Sequence, residues 1–524
     1  MEDNSISYSD FHASVDEAAA YRIQDGVIPS PEAISSAITS LTTTLPETGH
    51  GLSATKTHLL QDIVPGLNGS SLSPNYYGFV NGGITPAARL GEEIVSRFDQ
   101  NVQVHLPSHS VSTFVENAAL QMLQDLLGLD KKAWRGRTFT TGATASNVLG
   151  LACGREAIIE AGLSEQRLLV ETGLEPHSSQ TISVGEMGLL AACQAAGINT
   201  IRILTTSPHS SLLKAASIIG LGRLSVQEIP QAENPWRFDL QKLAYLLAQP
   251  GTANIISISA GEVNTGFYAT TPQDLQTVRS LATTHNAWIH VDGAFGLFAL
   301  ALPADDQAYT TIRAGCVGLE KIADSIAGDA HKLLNVPYDT GFFFTRHADL
   351  PSRVFSNPSA AYLTSSSSSD PSHQNPSTSS NPQIPSPLNT TLENSRRFRA
   401  LPVYSTLHAY GHTGHTTLLK NLTTLARTLA SYLHSSPHYE LLPPGRTLPE
   451  IVENTFIIVL FRAKDPKVNE GLERRINETR RIFVGGTVWA GRRAVRIAVG
   501  NWGVDVQREF ERVRGVLEEV VVVG

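Results

Sequence analysis

Cysteine is nearly absent from this chain. Cys153, Cys193 and Cys316 are the only three in 524 residues. They form no CxxC pair and no metal-ligand spacing, so neither a disulfide scaffold nor a metal centre is expected, and a reducing compartment is the simpler reading. No apolar run is long enough to span a bilayer. Excess positive charge is missing too: 40 Lys and Arg stand against 48 Asp and Glu, a net charge of −8. Nucleic acid and membrane are therefore not expected as partners. The opening "MEDNSISYSDFHASVDEAAA" is acidic and has no apolar centre, unlike a secretory or transit leader, so a cytoplasmic location is expected. There is no repeat at solenoid spacing.

What is present is an alternation. From about residue 110 to 345, short apolar runs alternate with longer amphipathic patterns. "RTFTT" (137–141), "TIRIL" (200–204), "NIISISA" (254–260) and "AWIHV" (287–291) read as strands buried on both faces. "SNVLGLACGREAIIEAG" reads as a helix after the first of them. Between the last two, "TPQDLQTVRSLATTH" carries Thr271 as N-cap, Pro272 at the first helical position and Asp274 at the positive end of the helix dipole. Leu275, Val278 and Ala282 fall on one face. Strand, helix, strand in this order predicts an α/β domain with a mostly parallel sheet. The first eighty or so residues are polar, with helical pieces such as "SPEAISSAITSLTTTL" and little to form a core, and read as an arm that packs on another surface, a second subunit included. Residues 364–389 are rich in Ser, Pro and Asn and read as a mobile loop. Beyond it, "NTFIIVLFRA" and "RAVRIAVGN" read as strands. "VDVQREFERVRGVLEE" reads as a helix with Val506, Phe510, Val513 and Leu517 on one side. The expected organisation is an N-terminal helical arm (1–85), a large domain (86–394) and a small C-terminal α+β domain (395–524).

Four stretches carry chemistry, each at or near the end of an expected strand, where open parallel sheets place their ligands. "TTGATASN" (140–147) joins a tight turn at Gly142 to a helix start, with hydroxyls at Thr141, Thr144 and Ser146. Alone it reads as an ordinary capped turn, but it has the makings of a phosphate site. "EPHSSQ" (175–180) holds His177. "IHVDGAFG" (289–296) ends an apolar strand on Asp292, a carboxylate that is costly there without a cation or strong donor. "GDAHKLLNVPYDTG" (328–341) sets Lys332 beside His331 in an apolar context. One ligand asks for all four. A phosphate needs the turn, a protonated ring nitrogen the carboxylate, a flat ring the imidazole, and a carbonyl carbon a desolvated lysine made nucleophilic. Pyridoxal 5′-phosphate has these features.

Together these stretches resemble the group II pyridoxal-phosphate-dependent amino-acid decarboxylases, a group that includes aromatic-amino-acid, histidine and glutamate decarboxylases. "DAHK" followed by Pro and "DTG" is similar to the family's cofactor-lysine motif. "TTGATASN" resembles its phosphate turn, "PHSS" its stacking-histidine motif and "HVDGAFG" its "HVDAA" segment. "SPNYYGFVNGG" (73–83) resembles its substrate-cleft segment, and "SRRFRALPVYSTLHAYG" (395–411) the start of its C-terminal domain. The resemblance runs over about residues 70–520 in the family's order.

It implies the type I, aspartate-aminotransferase-like fold, a homodimer with active sites at the subunit interface, and Lys332 as the Schiff-base lysine. It further implies Asp292 on the pyridinium nitrogen, His177 stacked on the ring and Ala294 on the opposite face. Ala143, Thr144 and His331 would hold the phosphate, with Asp329 nearby. The implied activity is decarboxylation of an L-amino acid to an amine and CO2. Tyr77, Phe79 and Val80, in a cleft segment that also holds Tyr76, would line an apolar or aromatic substrate pocket, with His105 as a further contact. Arg496 could meet a carboxylate, though a strand-end arginine more often makes a surface ion pair. Two departures stand out. "SAGEVNTG" (259–266) replaces the family's "GTT", leaving Asn264 or Thr265 for the cofactor's O3′. No tyrosine lies between Thr364 and Val403, where family decarboxylases carry a catalytic one. Tyr362 is the nearest replacement and His373 the next. That departure keeps an aldehyde synthase or an aminotransferase open as alternatives, with a non-catalytic relative acting through protein contacts behind them.

Overall fold

The computed structural model describes residues 8–24, 26–170, 183–356 and 384–522. Among these, twelve strands occur: β1 (Tyr76–Tyr77), β2 (Gly136–Thr140), β3 (Thr200–Thr205), β4 (Val226–Glu228), β5 (Thr252–Ser259), β6 (Trp288–Asp292), β7 (Ser325–Asp329), β8 (Gly341–Thr345), β9 (Tyr439–Leu442), β10 (Ile458–Ala463), β11 (Phe483–Trp489) and β12 (Arg492–Ala498). They divide between two compact units, one from Thr85 to Leu419, the other made of the residues up to Ile84 and from Lys420 onward.

The larger unit holds a seven-stranded sheet in the order β2-β8-β7-β6-β5-β3-β4. β3 through β7 pair in parallel where they are neighbours, and β8 runs antiparallel between β7 and β2. β2 therefore points the same way as β6 and β7, and all three end at one edge. The four expected strands of this region are present within one or two residues, as is the helix Pro272–Thr284, while the helix after β2 is longer than expected, Ala143–Val170. The Thr271 and Asp274 side chains form a reciprocal capping box at the helix Pro272–Thr284, whose Leu275, Val278 and Ala282 are buried. Such a cap contributes about 1 kcal/mol. The main core lies between the sheet and the helices Ala143–Val170 and Ser210–Ile218, with Leu149, Ala152, Ile203, Leu212, Ala216 and Ile255 among its members.

Residues 395–419, placed with the C-terminal domain at the sequence level, lie in the larger unit. Two arginines anchor them. Arg396 Nη1 pairs with Glu116 at 2.8 Å, both side chains buried, and its Nη2 donates to the Phe139 carbonyl. Breaking such a pair from one side costs about 3–5 kcal/mol. Arg399 holds the Asp339 carboxylate at 3.0 Å, fixing the loop into β8.

In the second unit the sheet order is β1-β11-β12-β10-β9. The residues up to Ile84 bury few apolar side chains and belong to the same compact unit as those from Lys420 onward. Tyr76 and Tyr77 add a parallel strand to β11, and Tyr76 stacks on Phe483 at 4.9 Å. The helix Val506–Val522 packs here through Val513 and Leu517, both buried. Of the expected loop, residues 364–383 lie outside the described residues. Its last part is ordered: Leu388 is buried and its N–H reaches the Gln103 carbonyl, while Ser386 accepts the His105 N–H. An apolar residue inside a Ser/Pro stretch found a groove to fill.

Candidate functional site

Strand register brings the sequence motifs to one edge. Gly341, the first residue of β8, pairs with Thr140 on one side and Asp329 on the other. Two residues before Asp329, Ala327 pairs with Asp292. The turn after β2, the lysine segment after β7 and the carboxylate at the end of β6 are thus adjacent. Gly341 has to be glycine: a Cβ there would stand 2.5 Å from Gly142 Cα. Any side chain would push the turn away from the lysine segment.

Asp329 is the hub. Its Oδ2 lies 2.9 Å from Lys332 Nζ, and its Oδ1 accepts the Ala143 N–H at 2.5 Å. The carboxylate is nearly buried, whereas the lysine keeps 20 % of its side chain accessible. Asp329 ends β7, and Ala330–Leu333 turns as one short helix, which returns Lys332 to its own strand end. The ammonium also lies 5.9 Å from the centre of the Phe295 ring. His331 Nδ1 is 3.1 Å from the Thr340 carbonyl. A carbonyl only accepts, so Nδ1 carries the proton and Nε2 of the neutral ring is a lone pair. Burial lowers the basicity of this imidazole, and the Asp329 charge partly opposes that.

Asp292 is half-buried at the end of β6. Its Oδ2 accepts from Asn147 Nδ2 at 2.9 Å, and its Oδ1 accepts the Ala294 N–H at 3.2 Å. Asn147 is buried on the helix Ala143–Val170. It stood in the motif "TTGATASN" without an assigned role.

The residues present fit pyridoxal 5′-phosphate. The helix Ala143–Val170 begins at the edge, and the first-turn amides of Thr144 and Ala145 have no acceptor within the helix. Above Gly142, the nearest described atoms a Cβ would meet are Asp329 Oδ1 at 3.4 Å and His331 Cε1 at 3.8 Å, a hollow with polar walls at the positive end of a long helix. A carboxylate and an amine flank it. The Ala143 amide itself is occupied by Asp329, so of the two turn residues expected at the phosphate, Thr144 has the available amide.

Other expectations are distributed differently. His177, Tyr362 and His373 lie outside the described residues. Asn264 and Thr265 are engaged within their own turn. Glu262 accepts the Asn264 N–H and Nδ2, and the Thr265 N–H and hydroxyl, all at 2.8–3.0 Å. The buried Glu262 closes the loop that "GTT" would otherwise form. In the second unit Tyr77 and Val80 are buried and Phe79 is 71 % exposed. Burial and the Glu509 charge hold the Tyr77 phenol in its neutral form. Arg496 Nη1 donates to the Gly78 carbonyl at 2.9 Å. His105 Nδ1 is bonded to the Thr113 hydroxyl at 2.7 Å, and its ring meets Phe114 edge-on.

Comparison with known proteins agrees with this geometry. Residues 191–463, just over half of the chain, match the conserved domain of pyridoxal-dependent decarboxylases. An L-2,4-diaminobutyrate decarboxylase from Acinetobacter baumannii is 27% identical over 62% of this chain and 55% of that protein. Tryptophan decarboxylase 1 of Oryza sativa subsp. japonica is 22% identical over 85% of this chain and 80% of that protein. Among solved structures, Oryza sativa TDC with PLP and tryptamine superposes with a TM-score of 0.77 at 19% identity, covering 99% of both chains. The chain belongs to the pyridoxal-dependent decarboxylase family, with the type I fold and with pyridoxal 5′-phosphate as its cofactor.

Proposed function

We propose that this enzyme removes CO2 from an L-amino acid with an aromatic or apolar side chain and releases the amine. The observation that carries the reading is the placement of Lys332, Asp292 and the free amides after Gly142 at one sheet edge. The bound cofactor supplies a sink for the electron pair left when CO2 departs. The chain's own groups do the rest. Lys332 Nζ would be the group that anchors the cofactor at its aldehyde carbon. Asp292, held by Asn147 and the Ala294 amide, would face the ring nitrogen and favour a proton there. Thr144, Ala145 and His331 hold the phosphate. His177 and Ala294 would be the side chains to pack against the ring. Tyr362 is the acid that returns a proton to Cα.

The substrate class rests on the segment 76–80. Within it Phe79 is the exposed ring, free to meet an apolar side chain. The helix Pro31–Ser40 buries none of its residues, and Ile34, Ile38, Leu41 and Leu45 are exposed near it. A second copy of the chain would cover them, in keeping with a homodimer. The free thiols of Cys153, Cys193 and Cys316 suit the cytoplasm.

The test is a panel of common amino acids offered to cofactor-loaded protein, with CO2, amine, aldehyde and keto acid measured together. Equal amounts of CO2 and amine from an aromatic or apolar substrate support the proposal. Aldehyde with ammonia and peroxide, or keto acid without CO2, would replace it.

A further inference from the structure

Asp292 is the visible end of a longer chain of buried polar groups. Trp288, His290 and Asp292 alternate along β6 and so face one side of the sheet. Asn147, Gly150 and Gly154 lie on one face of the helix packed against that side. The glycines make room. A Cβ at Gly150 would stand 2.3 Å from His290 Cε1, and one at Gly154 would stand 2.7 Å from Trp288 Cδ1. Ser325 opens β7 in register with His290. Trp288 Nε1 lies 3.0 Å from Ser325 Oγ, which lies 2.8 Å from His290 Nδ1. His290 Nε2 lies 2.9 Å from Asn147 Oδ1. Asn147, His290, Ser325 and Trp288 are all buried.

The protons in this chain can point only one way. An ionised carboxylate accepts and cannot donate, so Asn147 presents Nδ2 to Asp292 and Oδ1 to His290. His290 must then donate from Nε2. Burial drives its pKa down to about 4, against the pull of the Asp292 charge, so the imidazole is neutral and Nδ1 accepts. Ser325 donates to Nδ1, and its oxygen receives the indole N–H, which can only donate. Reasoning from the indole gives the same order. The second Asn147 N–H goes to Ser211 Oγ at 3.2 Å, so the amide is fully used. Every dipole has its positive end toward Asp292, and aligned hydrogen bonds in a dry interior reinforce one another.

We infer that Asn147, His290, Ser325 and Trp288 are positioning residues that orient Asp292 and bias the proton it shares with the cofactor ring toward the ring nitrogen. The inference rests on the assignment of Asp292 to that nitrogen. Stabilising the carboxylate favours the pair of pyridinium and carboxylate over the pair of neutral ring and carboxylic acid. Among these residues only Asn147 touches Asp292; the others act through it.

The experiment loads wild type, Asn147→Leu and Ser325→Ala with cofactor labelled at the ring nitrogen, and records its ¹⁵N resonance together with kcat, KM and Tm. The wild-type nitrogen is expected to be protonated. In Asn147→Leu the resonance should move toward the unprotonated position, and kcat should fall about tenfold to a hundredfold, the worth of one hydrogen bond to a charged group, with KM changed by less than about twofold. Ser325→Ala removes a single oxygen and should show the same displacement to a smaller degree, so it carries the test if Asn147→Leu does not fold. A protonated nitrogen in every variant, or losses that follow Tm alone, would overturn the chain's role and leave the assignment of Asp292 standing. An unprotonated nitrogen in the wild type would overturn both.

Discussion

Asp329 holds Lys332 with one carboxylate oxygen and the first amide of the helix Ala143–Val170 with the other. Lys332 and Ala143, 189 residues apart in the chain, therefore share one side chain. The Lys332 ammonium is oriented by the group that also tethers the start of that helix, so the lysine segment and the turn after β2 are built as a unit.

Lys332→Ala should abolish turnover and leave the fold in place. The lysine is partly accessible, and Asp329 keeps its bond to Ala143. Far-ultraviolet circular dichroism should be unchanged, and Tm should shift by no more than a few degrees. Residual decarboxylation at even a tenth of the wild-type rate would mean that another amine does the work.

Asp292→Asn should retain the cofactor and lose rate by about 10²–10³, the scale for removing one preorganised electrostatic group at a reacting centre. An amide cannot hold a proton on the ring nitrogen, and it disturbs the donor from Asn147. Steady-state kinetics on reconstituted protein decide the matter; a near-normal kcat would show that another group keeps the ring charged.

His331 predicts proton uptake on cofactor binding. Its Nδ1 proton is committed to the Thr340 carbonyl and burial lowers the basicity of the ring, so a phosphate oxygen placed at Nε2 would meet a lone pair. A phosphate dianion beside Nε2 raises its pKa, and the ring takes up a proton. Calorimetry in buffers of different ionisation enthalpy should show wild type absorbing about one proton more than His331→Gln. Equal proton counts would contradict this.

Acid should destabilise the protein through two buried histidines. His290 and His415 have pKa values lowered by burial from 6.5 to about 4. Between those limits the unfolded chain binds protons that the folded chain does not, so stability falls as pH drops from about 6.5 toward about 4. Each histidine contributes on the order of 3 kcal/mol to that fall. His415→Gln should show a smaller drop in Tm between pH 7 and pH 5 than wild type. An identical drop would remove His415 from the account.

The larger unit was legible because its signals are local. The end of β6, the turn after β2 and the "DAHK" segment each carry their own pattern. Their meeting at one edge follows from parallel strand order. The chain behind Asp292 was less legible. "WIHVD" reads as an apolar strand until its alternate residues Trp288, His290 and Asp292 are set against Asn147, Gly150 and Gly154, and that contact joins segments 134 or more residues apart. "SPNYYGF" was legible only in part. Tyr76 stacks on Phe483 and Tyr77 is buried in a sheet completed by β11, some 400 residues later, while Phe79 stays exposed. An aromatic run in sequence does not distinguish a pocket wall from an added strand. Glu262 was passed over for a similar reason: a carboxylate that only closes its own turn has no periodicity to reveal it.

The most direct test is to reduce the cofactor-loaded enzyme with borohydride, digest it and locate the pyridoxyl group by mass spectrometry. The account predicts a single modified residue, Lys332. A label on any other lysine, or no label on protein that has demonstrably bound the cofactor, would contradict it.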